Sequence, residues 1–318
     1  MSMTRIVAGM LWVGLMVLGP GGVSGQTYPN KPIRIVAAPV GGNGDLTARI
    51  IAQGISGPLG QPVIVENKPI SVLGEIVARA LPDGYTLLLH GTGFWISPLL
   101  QDMHYDPVKD FVPVTLATSS PDVLAVNSSL PVNSVKELIA LAKAKPGALN
   151  YGSTPSGTST YLEGELFKSL AGVNIVRIGY QGTGPIGPAL AAGELHLAFT
   201  SVSSLTPLLK SGKVKILAVA SPLPSALVPG VPTVSASLPG FEPLSGNAIF
   251  VPAKTPASIV SRLNQEIVRF LSRADIKDKF FSMGAESIGS SAEQVAAMIK
   301  ANVAMMGKVI KDAGIKSD

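Results

Sequence analysis

The sequence contains no cysteine and only three histidines, and both shortages exclude classes of protein. Without cysteine there are no disulfides and no thiolate metal sites, so we expect the core alone to hold the fold together. His90, His104 and His196 fall in different predicted elements, and the patterns H-E-x-x-H, G-x-S-x-G and S-x-x-K are absent. We therefore expect no enzyme, no cofactor and no metal ion, and we interpret His90 as a structural residue.

Charge is also scarce, since only 14% of the 318 residues are Asp, Glu, Lys or Arg. The net charge of +5 comes from scattered lysines and arginines, and no run of four or more occurs. Nucleic-acid and membrane-surface binding require a concentrated basic patch, so we expect neither partner. The chain is instead 46% hydrophobic, with 34 glycines and 26 prolines, which predicts a large core built from many short elements in two domains.

The first 25 residues have the layout of a secretory signal peptide. Arg5 precedes the apolar run at 6–19, and small residues follow at Val23-Ser24-Gly25. The run is shorter than the about 20 apolar residues of a membrane-spanning helix. We expect cleavage between Gly25 and Gln26, without a lipid anchor because no cysteine is present, and a soluble periplasmic protein.

Apolar strand patterns then alternate with helical ones, which predicts an α/β fold with mostly parallel sheets covered on both faces. The predicted strands are 33–38, 63–67, 85–91, 149–153, 175–180, 195–201 and 214–221. Several helix starts are marked, by Ser134 with Glu137, by Thr255-Pro256 and by Ser291 with Gln294. Two stretches, 116–127 and 221–247, look like passages between domains. We therefore predict one domain from residues 26–120 plus 233–318, and a second, inserted domain from 121–232.

The stretch "PVGGNGDLTARI" at 39–50 places glycines between a strand and a helix. A P-loop needs Gly-Lys-Ser/Thr, which is missing, and the dinucleotide fingerprint needs a third glycine where Thr47 stands. Glycines let backbone N–H groups approach a ligand, and a helix N-terminus carries about half a positive charge. The stretch therefore suits a carboxylate, and we interpret Asp45 as the cap of the helix.

Two further segments have the same character. "YGSTPSGTSTYLEGELF" at 151–167 runs from a strand end into a helix, for which Thr160 and Glu163 form a candidate capping box. "YQGTGPIGPAL" at 180–190 offers Gly182, Thr183 and Gly184 before Pro185. Each alone is typical of a capped turn, but together they predict a crevice lined by hydrogen-bond donors at the carboxyl ends of strands.

These segments, with "LGQPVIVENKP", "VARALPDGYTLLLHGT", "YDPVKDFVPVT" and "GVPTVSASLPGFE", resemble the periplasmic substrate-binding receptors of tripartite tricarboxylate transporters, the Bug family. The resemblance covers nearly the whole chain after residue 25. It implies a two-domain, type II-like clamshell with two crossovers, which clamps a small organic carboxylate. It also implies a monomer that passes its ligand to membrane permease subunits encoded elsewhere. The ligand-binding residues that it implies are Gly41, Gly42, Asn43, Thr92, Gly93, Ser153, Thr154, Gly157, Thr158 and Ser159.

Three departures from the family change the expected cleft. The loop "NKPISVLGE" is shorter and brings Ile70, Val72 and Leu73, which predicts a more apolar wall. Thr200 replaces an aspartate that could pair with a ligand ammonium, so an amino-acid ligand is not expected. An aromatic segment is replaced by "LSGNAIF", which leaves Phe94 and Trp95 as rings that either face the ligand or belong to the core.

Two functions from different classes remain open at this point. The protein either delivers its carboxylate to a permease or, as a ligand-dependent signalling protein, docks on a membrane sensor. Both use the same clamshell, and backbone N–H groups do not identify the acid that they bind.

Overall fold

The computed structural model describes residues 28–155, 158–312 and 314–315. The predicted signal peptide, residues 1–25, lies outside the described residues. The described chain forms two sheets, each covered by helices.

The first sheet has six strands in the order β11-β4-β10-β3-β1-β2. Strands β1, β2 and β3 are mutually parallel around β1, whereas β10 runs antiparallel to β3 and to β4. The strands are β1 Ile33–Ala37, β2 Val63–Asn67, β3 Thr86–Gly91, β4 Phe111–Ser119, β10 Gly246–Pro252 and β11 Glu286–Ser287.

The second sheet has five strands in the order β7-β6-β8-β5-β9. Strand β6 is parallel to β7 and β8, and β5 is antiparallel to β8 and β9. The strands are β5 Asp122–Asn127, β6 Asn150–Ser153, β7 Val176–Gly179, β8 Leu197–Ser201 and β9 Val214–Ala220.

Ten helices cover the two sheets in the described residues. Buried aliphatic and aromatic side chains from their inner faces complete three clusters of the core. The helices are α1 Asn43–Leu59, α2 Ile70–Ala78, α3 Gly93–Ile96, α4 Val135–Ala144, α5 Ser159–Ala171, α6 Ile186–Ala192, α7 Val202–Lys210, α8 Ala257–Leu271, α9 Ala274–Ser282 and α10 Ala292–Asp312.

The predicted α/β class is confirmed, but the sheets are mixed rather than mostly parallel. All seven predicted strands are present within two residues of their expected ends. The antiparallel pairs involve β4, β5 and β10, and these three strands were not predicted from the sequence. Pro113 lies inside β4, and the stretch at 116–127, interpreted as a passage, contains the end of β4 and all of β5.

The predicted helix starts differ in outcome. The Glu137 N–H donates to the Ser134 hydroxyl and the Gln294 N–H to that of Ser291, both at 3.2 Å, so these two caps are confirmed. The Thr160–Glu163 capping box is wrong, because α5 begins two residues earlier, at Ser159, and Thr160 lies inside the helix. The Thr160 hydroxyl accepts from the Thr154 N–H instead, at 3.1 Å.

The chain crosses between the sheets twice, as predicted, from β4 to β5 and from β9 back to β10. The two crossing segments, 119–122 and 244–246, lie side by side, and we refer to them as the hinge segments. The Ser245 hydroxyl donates to the Ser120 carbonyl at 2.8 Å, and the Ser120 N–H donates to the Ser245 carbonyl at 3.3 Å. The domain limits at 120 and 232 stay a prediction. Phe241 stacks on Phe199 of the second sheet, which favours a return to the first domain near Ser245.

Candidate functional site

The predicted glycine-rich loop lies at the carboxyl end of β1, and Gly41, Gly42 and Asn43 are exposed there. Gly41 has a φ of +91°, a conformation that glycine adopts without strain. Asp45 lies inside α1, which begins at Asn43, and so it is not the cap of the helix as predicted. Its carboxylate accepts from the Gly41 N–H at 3.0 Å, so this N–H already has a partner.

Asp45 is buried, and its charge is compensated by its neighbours. Arg49 Nε lies 2.8 Å from Asp45 Oδ1, and Asn67 donates to the same oxygen at 2.9 Å. Burial raises the pKa of Asp45, but the hydrogen bonds from Gly41, Asn67 and Arg49 outweigh burial and leave this pKa below its ordinary value. Asp45 therefore stays ionised and fixes the shape of the loop.

The loop after β3 supplies Thr92 and Gly93, but not an aromatic ring. Phe94 and Trp95 are each only 1% exposed. Phe94 stacks on Tyr105 at 5.0 Å between centroids, and Trp95 Nε1 donates to Asn302 at 3.0 Å. The sequence left open whether these rings face the ligand or belong to the core, and in the described conformation both belong to the core. Leu73 is also fully buried, so it does not form the expected apolar wall of the cleft.

His90, at the end of β3, fits its interpretation as a structural residue. Its Nδ1 lies 3.1 Å from the Gly91 carbonyl oxygen, and its ring lies 5.7 Å from that of Phe94. Burial lowers the pKa of His90, so the imidazole is neutral at neutral pH.

The loop after β6 is braced by its own hydroxyl groups. Thr154 Oγ1 lies 2.6 Å from Thr158 Oγ1 and 2.8 Å from Thr160 Oγ1, and the Thr158 hydroxyl also reaches the Pro155 carbonyl at 2.8 Å. Ser153 and Thr154 are buried, whereas Thr158 and Ser159 are partly exposed at the start of α5. Gly157, another predicted ligand residue, lies outside the described residues.

The three remaining candidate residues, Gly182, Thr183 and Thr200, lie in different environments. Gly182 and Thr183 lie in the loop after β7, where Thr183 is exposed and Gly182 has a φ of +155°. Thr200 is completely buried near the end of β8, 3.1 Å from the Ser204 hydroxyl. Thr200, which stands where the family has an aspartate, therefore has no exposed surface towards the cleft in the described conformation.

Loops from the two sheets meet at the floor of the cleft. Thr92 of the first sheet and Ser159 of the second line one cavity of about 20 Å³, together with Glu163, Leu244 and Asn302. The Thr92 hydroxyl donates to the carbonyl of Leu244 in a hinge segment at 2.7 Å. Predicted ligand residues from both domains thus lie next to the hinge.

Two carboxyl groups beneath this floor were missed by sequence reasoning. Glu163 of α5 and Asp122, the first residue of β5, are buried and hydrogen-bonded to each other. If both were ionised, neither oxygen of Glu163 would have a donor among the described residues. Burial raises the pKa of Glu163, and the neighbouring Asp122 raises it further. Burial also raises the pKa of Asp122, to about 6, against the opposing hydrogen bonds from Ser159 and Glu163. The pair therefore holds at least one proton at neutral pH.

Arg177 was missed as well. None of the three predicted loops contains Lys or Arg before its helix, but β7 pairs with β6 and brings Arg177 against the second loop. Its Nε donates to Ser153 Oγ at 2.8 Å. The position of Arg177 follows from the pairing of β6 with β7, and the sequences of the loops alone do not show this pairing.

Within the described part of the chain, no helix is both long and apolar enough to cross a membrane. No group of three or more His, Cys, Asp or Glu side chains there is arranged to hold a metal ion.

Residues 47–315 match the family described as the tripartite tricarboxylate transporter family receptor. The chain is 31% identical to protein BugT of Bordetella pertussis over 99% of each chain. It is also similar to the solved structure of Rpa4515 from R. palustris with adipate. That protein is 33% identical, the match covers 92% of this chain and all of the other, and the TM-score is 0.68.

A second solved structure is closer in shape. The TctC solute-binding protein from Polaromonas, determined with no ligand, is 25% identical, and the match covers 90% of this chain and all of the other. Its TM-score is 0.82, higher than that of the adipate complex, although it shares less sequence with this chain.

Proposed function

Since this chain belongs to the tripartite tricarboxylate transporter receptor family, we propose that it captures a small organic carboxylate in the cleft between its two sheets and delivers it to a membrane permease. The observation that carries this proposal is the meeting of Thr92 and Ser159, from separate sheets, in one cavity beside the hinge segments. A ligand held between these two loops contacts both domains, and it therefore stabilises whichever arrangement brings both sets of donors to it.

The backbone N–H groups and hydroxyls at these loops suit a carboxylate. Helices α1 and α5, of 17 and 13 residues, begin at the exposed loops after β1 and β6. The N–H groups of a first helical turn have no partner within the helix, and the helix dipole favours negative charge beside them. Gly42 and Asn43 on one side, and Thr158 and Ser159 on the other, are the groups that we assign to the carboxylate.

Closure about the hinge is the second part of the proposal. The hinge segments are held to each other by short serine contacts, and only two chain crossings join the domains. The higher TM-score with the ligand-free Polaromonas protein than with the adipate complex supports an open arrangement of this chain. We propose that binding converts it to a closed one.

A calorimetric comparison of organic acids with their matching α-amino acids tests the carboxylate site. We expect an unaminated acid to bind tightest, because Gly42, Asn43, Thr158 and Ser159 carry no carboxylate, and Glu163 beside them is already bonded to Asp122. An ammonium in the cleft would therefore lack a carboxylate, and a buried unpaired charge is costly. At 100 times its dissociation constant the best acid should stabilise the protein by about 2.7 kcal/mol. Tighter binding of aspartate or glutamate than of every unaminated acid would contradict the assigned site.

Export and delivery are also proposals. We infer that the chain is exported to the periplasm through cleavage after Gly25, which N-terminal sequencing of the purified protein checks. Loss of uptake of the bound acid in cells lacking this protein supports delivery to a permease. Unchanged uptake, with a lost response to the acid, would favour docking on a sensor instead.

A further inference from the structure

Arg177 differs from every other arginine in the described residues. The other six form ion pairs with Asp or Glu side chains at 2.6–3.2 Å, and they are Arg34, Arg49, Arg79, Arg262, Arg269 and Arg273. Arg177 has no carboxylate within ion-pair distance among the described residues. A partly buried guanidinium without a counterion has given up hydration without gaining a charge partner.

The guanidinium lies against the loop after β6, which leads to Thr158 and Ser159 of the proposed site. In the register of β6 and β7, Tyr151 pairs with Arg177 and Ser153 with Gly179, so the side chain reaches the carboxyl end of both strands. Arg177 Nε donates to Ser153 Oγ at 2.8 Å, and Nη2 donates to the Thr154 carbonyl at 3.1 Å. These two contacts hold it against the loop that leads into α5.

The side chain is also fixed in orientation. The guanidinium carbon lies 4.4 Å from the centroid of the Tyr161 ring, in the first turn of α5. A guanidinium has five N–H groups, and the two bonds to the loop use two of them. The remaining N–H groups lie on a rigid fork whose rotamer freedom is already lost, which lowers the entropic cost of binding an anion.

From these observations we propose that Arg177 is a specificity-determining residue that binds the second carboxylate of a dicarboxylate ligand. This inference rests on the proposed function, which supplies the first carboxylate. Gly42 and Asn43 offer that first carboxylate only neutral donors, whereas Arg177, against the loop that leads into α5, offers a full positive charge. A monocarboxylate leaves Arg177 without its counterion, so the protein prefers acids with a carboxylate at each end.

The test is titration calorimetry with straight-chain dicarboxylates from succinate to suberate, and with the monocarboxylates of equal carbon number. We expect Arg177→Gln to weaken the best dicarboxylate roughly 10–100-fold, as for a lost charged hydrogen bond, and the matching monocarboxylate less than about threefold. Arg177→Lys keeps the charge without the fork, and it should retain a preference for the dicarboxylate. Arg273→Gln, which removes an exposed arginine paired with Asp275, is the matched control and should change neither affinity.

Each other result has a definite meaning. Equal weakening of both classes of acid by Arg177→Gln, with an unchanged circular dichroism spectrum, would show that Arg177 only braces Ser153 and Thr154, and it would overturn the inference. Unchanged affinities, or a wild-type protein that binds the monocarboxylate as tightly as the dicarboxylate, would do the same. A wild-type protein that binds none of these acids would contradict the proposed function for this class of ligand, and the inference with it.

Discussion

At the scale of single residues, Asp122 and Glu163 are unusual because no Lys or Arg of the described chain forms an ion pair with either carboxyl group. Other buried carboxylates in the described chain, such as Asp45 and Glu266, have arginine partners. Asp122 Oδ2 accepts a hydrogen bond from the Ser159 hydroxyl at 3.2 Å, and the Asp122 carboxyl is also hydrogen-bonded to Glu163. The pair stabilises the fold while a proton lies between the two carboxyl groups, and it destabilises the fold when both carboxyl groups are ionised.

This pair gives the stability of the protein a defined dependence on pH. The pKa of Asp122 is raised in the folded state from its ordinary 3.8 to about 6, so the folded chain binds this proton more tightly than the unfolded chain. The contribution is full below pH 3.8 and is lost as the pH rises through about 6.

Asp122→Asn should remove this loss, because it removes the carboxyl whose pKa is raised in the folded state. We expect the variant to gain roughly 1–3 kcal/mol relative to wild type between pH 4 and pH 8, measured by urea unfolding at both values. Glu163→Gln, which leaves Asp122 buried and able to titrate, should gain less. A difference between wild type and Asp122→Asn that does not change with pH would contradict the raised pKa of Asp122.

Residues of this kind also limit what a sequence can reveal. The loop at Gly41 was proposed because glycines between a strand and a helix leave backbone N–H groups open to a ligand, whereas the loop at Thr92 was proposed from the resemblance to the family. The burial of Phe94 and Thr200 was not predictable, because it depends on distant partners, such as Tyr105 for Phe94. Arg177 was missed because its position follows from the pairing of β6 with β7.

At the scale of elements, the hinge segments depend on one glycine. Gly246 has a φ of +152°, and a Cβ there would overlap the carbonyl oxygen of Thr118 in the neighbouring strand β4. The close approach lets β10 pair with β4 directly beyond the crossing, with Gly246 opposite Ser119. The sequence marked this region only as a passage rich in Pro, Ser and Gly, since neither β4 nor β10 has a clear periodicity.

Gly246→Ala should therefore disturb the hinge. We expect a loss of roughly 1–3 kcal/mol in the free energy of unfolding, from backbone strain and the contact with Thr118. Gly212→Ala is the control, because Gly212 also has a positive φ, of +68°, but has no atom within 4 Å of the added Cβ. Chemical unfolding measures both variants. Equal losses would show that the approach of β4 to Gly246 carries no energetic cost.

At the scale of the whole molecule, two chain crossings join two mixed sheets, and a cavity shared by both domains lies beside the crossings. The alternation of strands and helices predicted the class of fold, and the two irregular passages predicted the crossings. The antiparallel order of β10 between β3 and β4 was not predictable, because strand order depends on packing between distant segments. The two hinge segments are the chain crossings about which we propose that the domains close.

Small-angle X-ray scattering tests most directly whether this cleft closes on a carboxylate. The protein is measured alone and with a saturating amount of the tightest-binding acid, and calorimetry on the same sample confirms that the site is occupied. We expect the radius of gyration and the maximum dimension to decrease on binding, as two domains close about the segments 119–122 and 244–246. An occupied protein with an unchanged scattering curve would contradict the account.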